Sequence, residues 1–127
     1  MSNPVWVDLP FVIRLHDRIL DLTGGAPGLR DEGLLRSALD RPRNVHAYRG
    51  HVLPEIAASY AFGIAKNHPF IDGNKRTAFV TCGVFLELNG LRLVAGTKDA
   101  ELRMISLVHA PDPQTFTKWL RDNTIPN

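Results

Sequence analysis

His68-Pro69-Phe70-Ile71-Asp72-Gly73-Asn74-Lys75-Arg76-Thr77 sets an imidazole, a carboxylate, a glycine, an amide and two cations in one short stretch. Patterns of helical period lie on either side. Upstream, Ile56, Tyr60 and Ile64 recur four apart with Ala57, Ala61 and Ala65 beside them, which predicts a helix over 54–67 with a small-residue face for close packing. Pro54 suits its first turn, and Pro69 ends it, because a proline disfavours helical backbone at the residue before it. Downstream, Ala78, Phe79, Val80, Cys82, Val84, Phe85, Leu86 and Leu88 cover nearly every side of a helix over about 74–89. This predicts a buried central helix, closed by the Asn89-Gly90 pair.

The remaining segments extend the helical reading. Leu9, Val12, Ile13, Leu15, Ile19, Leu20 and Leu22 predict an amphipathic helix over 9–22, with Asp8 as its N-cap and Gly24 to Gly28 as the loop that ends it. A second helix is expected over 31–41, ended by Pro42. From Pro42 to Leu53 the apolar period fails, and Arg43, Asn44, His46, Tyr48, Arg49 and His51 read as a polar surface loop or flap. Thr97 is the expected cap of a helix over 98–109, and Asp112-Pro113 opens a last helix over 113–122. Leu91 to Val94 reads as a short extended piece. The expectation is an all-α fold, a bundle of about six helices around the central one, with no convincing sheet.

Length and charge bound the function. With 127 residues the chain is expected to form a single domain, 1–127. The net charge of +2 gives mild support for an anionic partner, but there is no basic tail and no aromatic-interleaved basic stripe, so direct nucleic-acid binding is not expected. Cys82 is the sole cysteine and excludes an internal disulfide. No leader pattern and no run near the ~20 apolar residues of a membrane span is evident, so a cytoplasmic protein with no membrane partner is expected.

The opening stretch can be read chemically. Backbone amides at 73–76 begin a helix and lack partners within it, at the end where the helix dipole favours negative charge. Gly73 lets the chain curl into an anion-binding nest. Lys75 and Arg76 oppose the dipole, so they are a poor choice for stability, and an anion such as phosphate repairs the mismatch. Asp72 beside a phosphate is a candidate Mg2+ ligand, and His68 is a candidate acceptor for a hydroxyl proton. Phe70 is expected to anchor the loop in the core. A P-loop is excluded, since neither its first glycine nor its Gly-Lys pair is present. A zinc site is excluded for want of clustered His or Cys ligands.

His68 to Arg76 strongly resembles the signature of the Fic/Doc family, His-Pro-Phe-x-(Asp/Glu)-Gly-Asn-(Gly/Lys)-Arg. Leu15-His16-Asp17, Gly24-Gly25, Gly28-Leu29-Arg30-Asp31 and Phe85 to Gly90 look like the death-on-curing (Doc) branch, so the likeness covers nearly the whole chain. The resemblance implies a compact Fic/Doc-type helical bundle. Most Fic proteins transfer AMP from ATP to a protein hydroxyl and carry glycine where this chain has Lys75. Doc toxins carry lysine there, and are kinases that phosphorylate a threonine of elongation factor Tu and arrest translation.

On that pattern His68 is the general base and Asp72 holds Mg2+. Gly73, Asn74, Lys75 and Arg76 bind the phosphates of ATP, and Lys75 and Arg76 also stabilise charge during transfer. The 42–53 loop takes the place of the family's target-docking flap. The resemblance also implies a toxin–antitoxin pair and inhibition by a cognate antitoxin. Thr97 to Glu101 match the first five positions of the family's inhibitory motif, but Leu102 breaks it, so Thr97 reads as a cap and Glu101 as a surface residue. Pro69 and Gly73 are Fic-like, which keeps AMP transfer open as the alternative, beside a non-catalytic phosphate- or nucleotide-binding module. His16 reads as a buried hydrogen-bonded histidine rather than a site residue.

Overall fold

The computed structural model describes residues 3–127. Helix α1 (Leu9–Thr23) begins where the Asp8 carboxylate accepts a bond from the Phe11 N–H at 3.0 Å, and it ends at Gly24. Helices α2 (Glu32–Arg49), α3 (Leu53–Asn67) and α4 (Asn74–Leu88) follow. Strand β1 (Leu91–Leu93), helices α5 (Thr97–His109) and α6 (Gln114–Asp122), and strand β2 (Thr124–Pro126) complete the order. The described residues thus form six helices and one two-stranded antiparallel sheet, in which Arg92 pairs with Ile125. The sheet was not expected. Its strands are three residues long and its second strand lies far along the chain, so no local period announces it.

Helices α2 and α4 flank α3, and together they hold most of the core. Helix α4 packs against α1, α3, α5 and β1, but α3 is the more enclosed, with every residue from Ile56 to Ala65 buried. Phe79, Val80 and Val84 on α4 are only half-buried; Phe79 and Val80 face a cleft shared with α5. The N-terminal segment runs extended across α3 and the end of α4. The Tyr60 hydroxyl accepts from the Val7 N–H at 3.0 Å and donates to its carbonyl at 3.2 Å. Asn89 makes the equivalent pair with Val5 at 2.7 and 3.0 Å.

The segment from Pro42 to Arg49 is helical, which corrects the expected loop or flap over 42–53. Proline removes one amide and crowds the preceding turn, a cost that usually ends a helix. Here the Pro42 ring is buried on the same face as Leu35, Ala38 and Leu39, so packing against the core offsets that cost. The Ala38 carbonyl, which proline at 42 deprives of its i+4 donor, lies beside Gly63 of α3, where an added Cβ would come within 3.1 Å. This close crossing needs glycine at 63. The α2–α3 connection is therefore only 50–52, too short for a flap.

Two caps differ by one residue from expectation. Gly96, not Thr97, caps α5, and α6 begins at Gln114, whose N–H bonds the Asp112 carboxylate at 2.9 Å. The α5 helix is tied down at both ends: Lys66 donates to the Val108 carbonyl at 2.7 Å, and the Trp119 indole donates to Asp99 at 2.8 Å.

Candidate functional site

The His68–Gly73 loop is built from backbone irregularity that its sequence requires. His68 caps α3 in the left-handed region with φ 51° and ψ 54°, and among the described residues it is the only non-glycine residue at positive φ. Gly73 caps α4 at φ 76°, a conformation that suits glycine, and a Cβ there would sit 3.3 Å from Leu20 and 3.7 Å from His16. Phe70 is 1% exposed and anchors the loop as expected. Its ring stacks flat on the buried His16 imidazole, with centroids 3.8 Å apart. The His16 Nε2–H donates to the Asp72 carbonyl at 2.8 Å. Thus His16 supports the loop from beneath.

Asn74 braces the loop. Its Oδ1 accepts from the Phe70 N–H and its Nδ2 donates to the Phe70 carbonyl, both at 2.9 Å, and the residue is buried. The side chain clamps the loop with one of its two amide hydrogens, and the backbone N–H lacks a partner within the helix. The Gly73 amide is also engaged, since it donates to Asp72 Oδ1 at 2.8 Å. No side chain caps α4, so the amides of Asn74, Lys75 and Arg76 are the first-turn donors without partners inside the helix.

His68, Asp72, Gly73, Asn74, Lys75 and Arg76 all line one cleft of about 760 Å³ between α4 and α5. Lys75 and Arg76 are exposed, and among the described residues neither pairs with a carboxylate. The far wall is apolar, with Phe79, Val80, Met104, Ile105 and Val108. Thr97 and Glu101 reach the same cleft from α5, so Glu101 is exposed as expected but faces the site rather than open surface. No residue of 42–53 lines it.

The segment that packs beside the loop is the connection between α1 and α2. The Ala26 N–H donates to Asp72 Oδ2 at 3.2 Å, and Ile71 N–H donates to the Gly28 carbonyl at 3.0 Å. Leu29 and Phe70 form an isolated antiparallel bridge. The Ala26 N–H, then the Gly73 N–H, hold the Asp72 carboxyl below the usual carboxylate range; desolvation opposes them, and His16 and Arg76 add to the lowering. Asp72 is therefore an exposed anion with acceptor capacity to spare on both oxygens. Among the described residues no three His, Cys, Asp or Glu side chains gather as a metal site. One ionised carboxylate beside an anion cradle fits Mg2+ shared with phosphate oxygens.

The contribution of the 24–31 connection was not read from the sequence. Its glycines signalled a turn, but its contacts to 68–72 join segments far apart in the chain, as from Ala26 to Asp72, and are made largely by backbone. Two glycines hint at the close approach: a Cβ at Gly25 would lie 2.9 Å from Asp72 Oδ2, and one at Gly28 would lie 3.1 Å from the Ile71 side chain.

Comparison with known proteins bears on the same residues. The model of the Fic/DOC family matches residues 6–86, from the N-terminal segment through the loop and most of α4. A relative named Protein kinase doc, from Escherichia phage P1, is 35% identical over 92 residues, which cover 72% of this chain and 73% of the relative. A second, named Toxin Doc, from Mycolicibacterium smegmatis (strain ATCC 700084 / mc(2)155), is 40% identical over 75 residues, or 57% of each chain. No helix among the described residues is long and apolar enough to cross a membrane. With its loop, its helical frame and these matches taken together, the chain belongs to the Fic/DOC family.

Proposed function

We propose that the protein is the toxin of a toxin–antitoxin pair, a cytoplasmic kinase that uses Mg-ATP to phosphorylate a threonine of elongation factor Tu and so arrests translation. The observation that carries this reading is the unpaired Lys75 and Arg76 at the uncapped start of α4, in one cleft with His68 and Asp72. Two cations at the positive end of a helix are unfavourable without an anion. A triphosphate supplies it. The likeness to a relative named Protein kinase doc supports the kinase form, as does Lys75, which stands where AMP-transferring relatives carry glycine.

The chemistry assigned to each group is simple. His68 takes the proton of the acceptor hydroxyl. The hydroxyl oxygen bonds to the γ-phosphorus as the bond to the bridging oxygen breaks, and ADP leaves. Lys75, Arg76 and the free first-turn amides stabilise charge on the transferring and leaving phosphates. A Mg2+ ion, when bound through Asp72 and phosphate oxygens, supplies further charge neutralisation. The apolar wall of the cleft, with Ile105 half-exposed on it, supports binding of an antitoxin segment that folds on contact.

AMP transfer to a protein hydroxyl is the second reading, favoured by Pro69 and Gly73. Incubation of elongation factor Tu with the protein and Mg-ATP, followed by mass spectrometry, tests the proposal. A phosphothreonine that vanishes with His68→Ala is expected. An unmodified factor excludes it as the target, and an AMP adduct replaces the kinase reading.

A further inference from the structure

Three successive main-chain carbonyls, those of Asn67, His68 and Pro69, are all held by one residue. Arg30 Nη2 donates to the Asn67 carbonyl at 3.0 Å, and Arg30 Nε donates to the His68 carbonyl at 2.8 Å. The Arg30 backbone N–H donates to the Pro69 carbonyl at 2.7 Å, joined by the Asp31 N–H at 3.0 Å. Asn67 is fixed again from α2, since its Nδ2 donates to the Leu34 carbonyl at 2.9 Å.

We infer that Arg30 is a positioning residue that locks the His68 backbone in its left-handed conformation and so sets where the imidazole stands in the cleft. The conformation needs a lock. His68 has a Cβ, and at φ 51° that Cβ crowds its own carbonyl, so the residue tends to relax toward extended backbone, which the following proline also favours. Relaxation would swing the His68 carbonyl away from Arg30. The guanidinium resists this because its planar fork fixes two donors at once, on carbonyls that the end of α3 leaves without helical partners. Arg30 is exposed, and it belongs to the α1–α2 connection rather than to either helix that flanks the loop. A helix cap needed only for stability could be met by water at such a site. The geometry therefore points to a different demand: a fixed direction for the side chain of 68.

This inference rests on the transfer reading for its kinetic consequence but not for its structural one, and two measurements keep them apart. The first compares Arg30→Ala and Arg30→Lys with the unaltered chain in γ-phosphate transfer to elongation factor Tu. Misplacement of the base predicts a kcat lower by about 10²-fold in R30A with KM for ATP within about twofold, because the phosphate cradle on α4 is untouched. Arg30→Lys, which retains a cationic donor but lacks the planar fork, is expected to recover part of the loss. An unchanged kcat, or an equal loss in both variants that tracks the fraction of unfolded protein, overturns the inference.

The second measurement needs no substrate. In imidazole nitrogen NMR spectra, R30A is expected to shift or broaden the His68 ring signals and leave those of His46 and His109 in place. An unmoved His68 signal, or equal movement of all three, overturns it. If the unaltered chain transfers no phosphate, the functional proposal fails and the NMR result alone decides the role of Arg30.

Discussion

The buried His16 imidazole reaches from α1 under the loop and donates from Nε2 to the carbonyl oxygen of Asp72 across 2.8 Å. The side chain of that same aspartate is held from the other direction by the Ala26 and Gly73 amides. Asp72 is thus fixed by backbone and side chain together, and the cleft inherits a carboxylate whose place is set before any ligand arrives. His16→Leu leaves the Asp72 carbonyl without its donor and removes the stacking partner of Phe70. A loss of about 1–3 kcal/mol in stability is expected, read from the urea midpoint, with His16→Gln retaining part because it keeps a donor. Equal stability of the Leu variant and the unaltered protein contradicts this account.

Gly25 guards the same carboxylate. It sits at φ 121°, and an added Cβ would meet Asp72 Oδ2 at 2.9 Å. Gly25→Ala is expected to push that oxygen aside, so the Mg2+ concentration for half-maximal transfer should rise by roughly tenfold, with the helical circular dichroism unchanged. An unchanged Mg2+ requirement would remove Asp72 from the metal's shell.

Acid should loosen the loop. The amides that hold Asp72 lower its pKa in the folded chain. The unfolded chain therefore binds the proton more readily, and stability rises with pH through this window. The contribution of Asp72 is complete above the ordinary carboxylate range and is lost as pH falls through the lowered folded value. Asp72→Asn should accordingly show a flatter acid limb when urea midpoints are plotted from about pH 5 downward. Parallel limbs for the two proteins would mean that the clamp adds nothing to folding.

The α2–α3 crossing is predicted to be a matter of stability alone. Gly63→Ala brings a Cβ within 3.1 Å of the Ala38 backbone, on the side of α3 that meets α2, and Gly63 does not line the cleft. It should cost about 1–3 kcal/mol by overpacking while the transfer rate per folded molecule stays the same. A selective loss of rate at full stability would show that this crossing also shapes the cleft.

These residues show where a sequence can be read and where it cannot. Asp8 and Pro54 act within a few residues of their own position, as does the Asn89-Gly90 pair where it ends α4, and that chemistry was legible. Pro42 misled because a local helix-breaking signal was overruled by burial of its ring on the core face of α2. The Asn74 clamp spans only four residues to the Phe70 backbone, yet no helical period or cap signal announces it. The supports from His16, Ala26 and Arg30, and the pairing of β2 with β1, depend on chain returning from a distance, which no period or motif encodes.

The central claim is that Lys75 and its neighbours direct the γ-phosphate of ATP to a protein hydroxyl. Parallel reactions with ATP labelled at the α or the γ phosphate test it most directly, with the acceptor protein isolated after each and Lys75→Gly run alongside. The account predicts label on the acceptor from γ-labelled ATP alone, reduced at least tenfold by the Lys75→Gly change. Label retained only from the α position would contradict it.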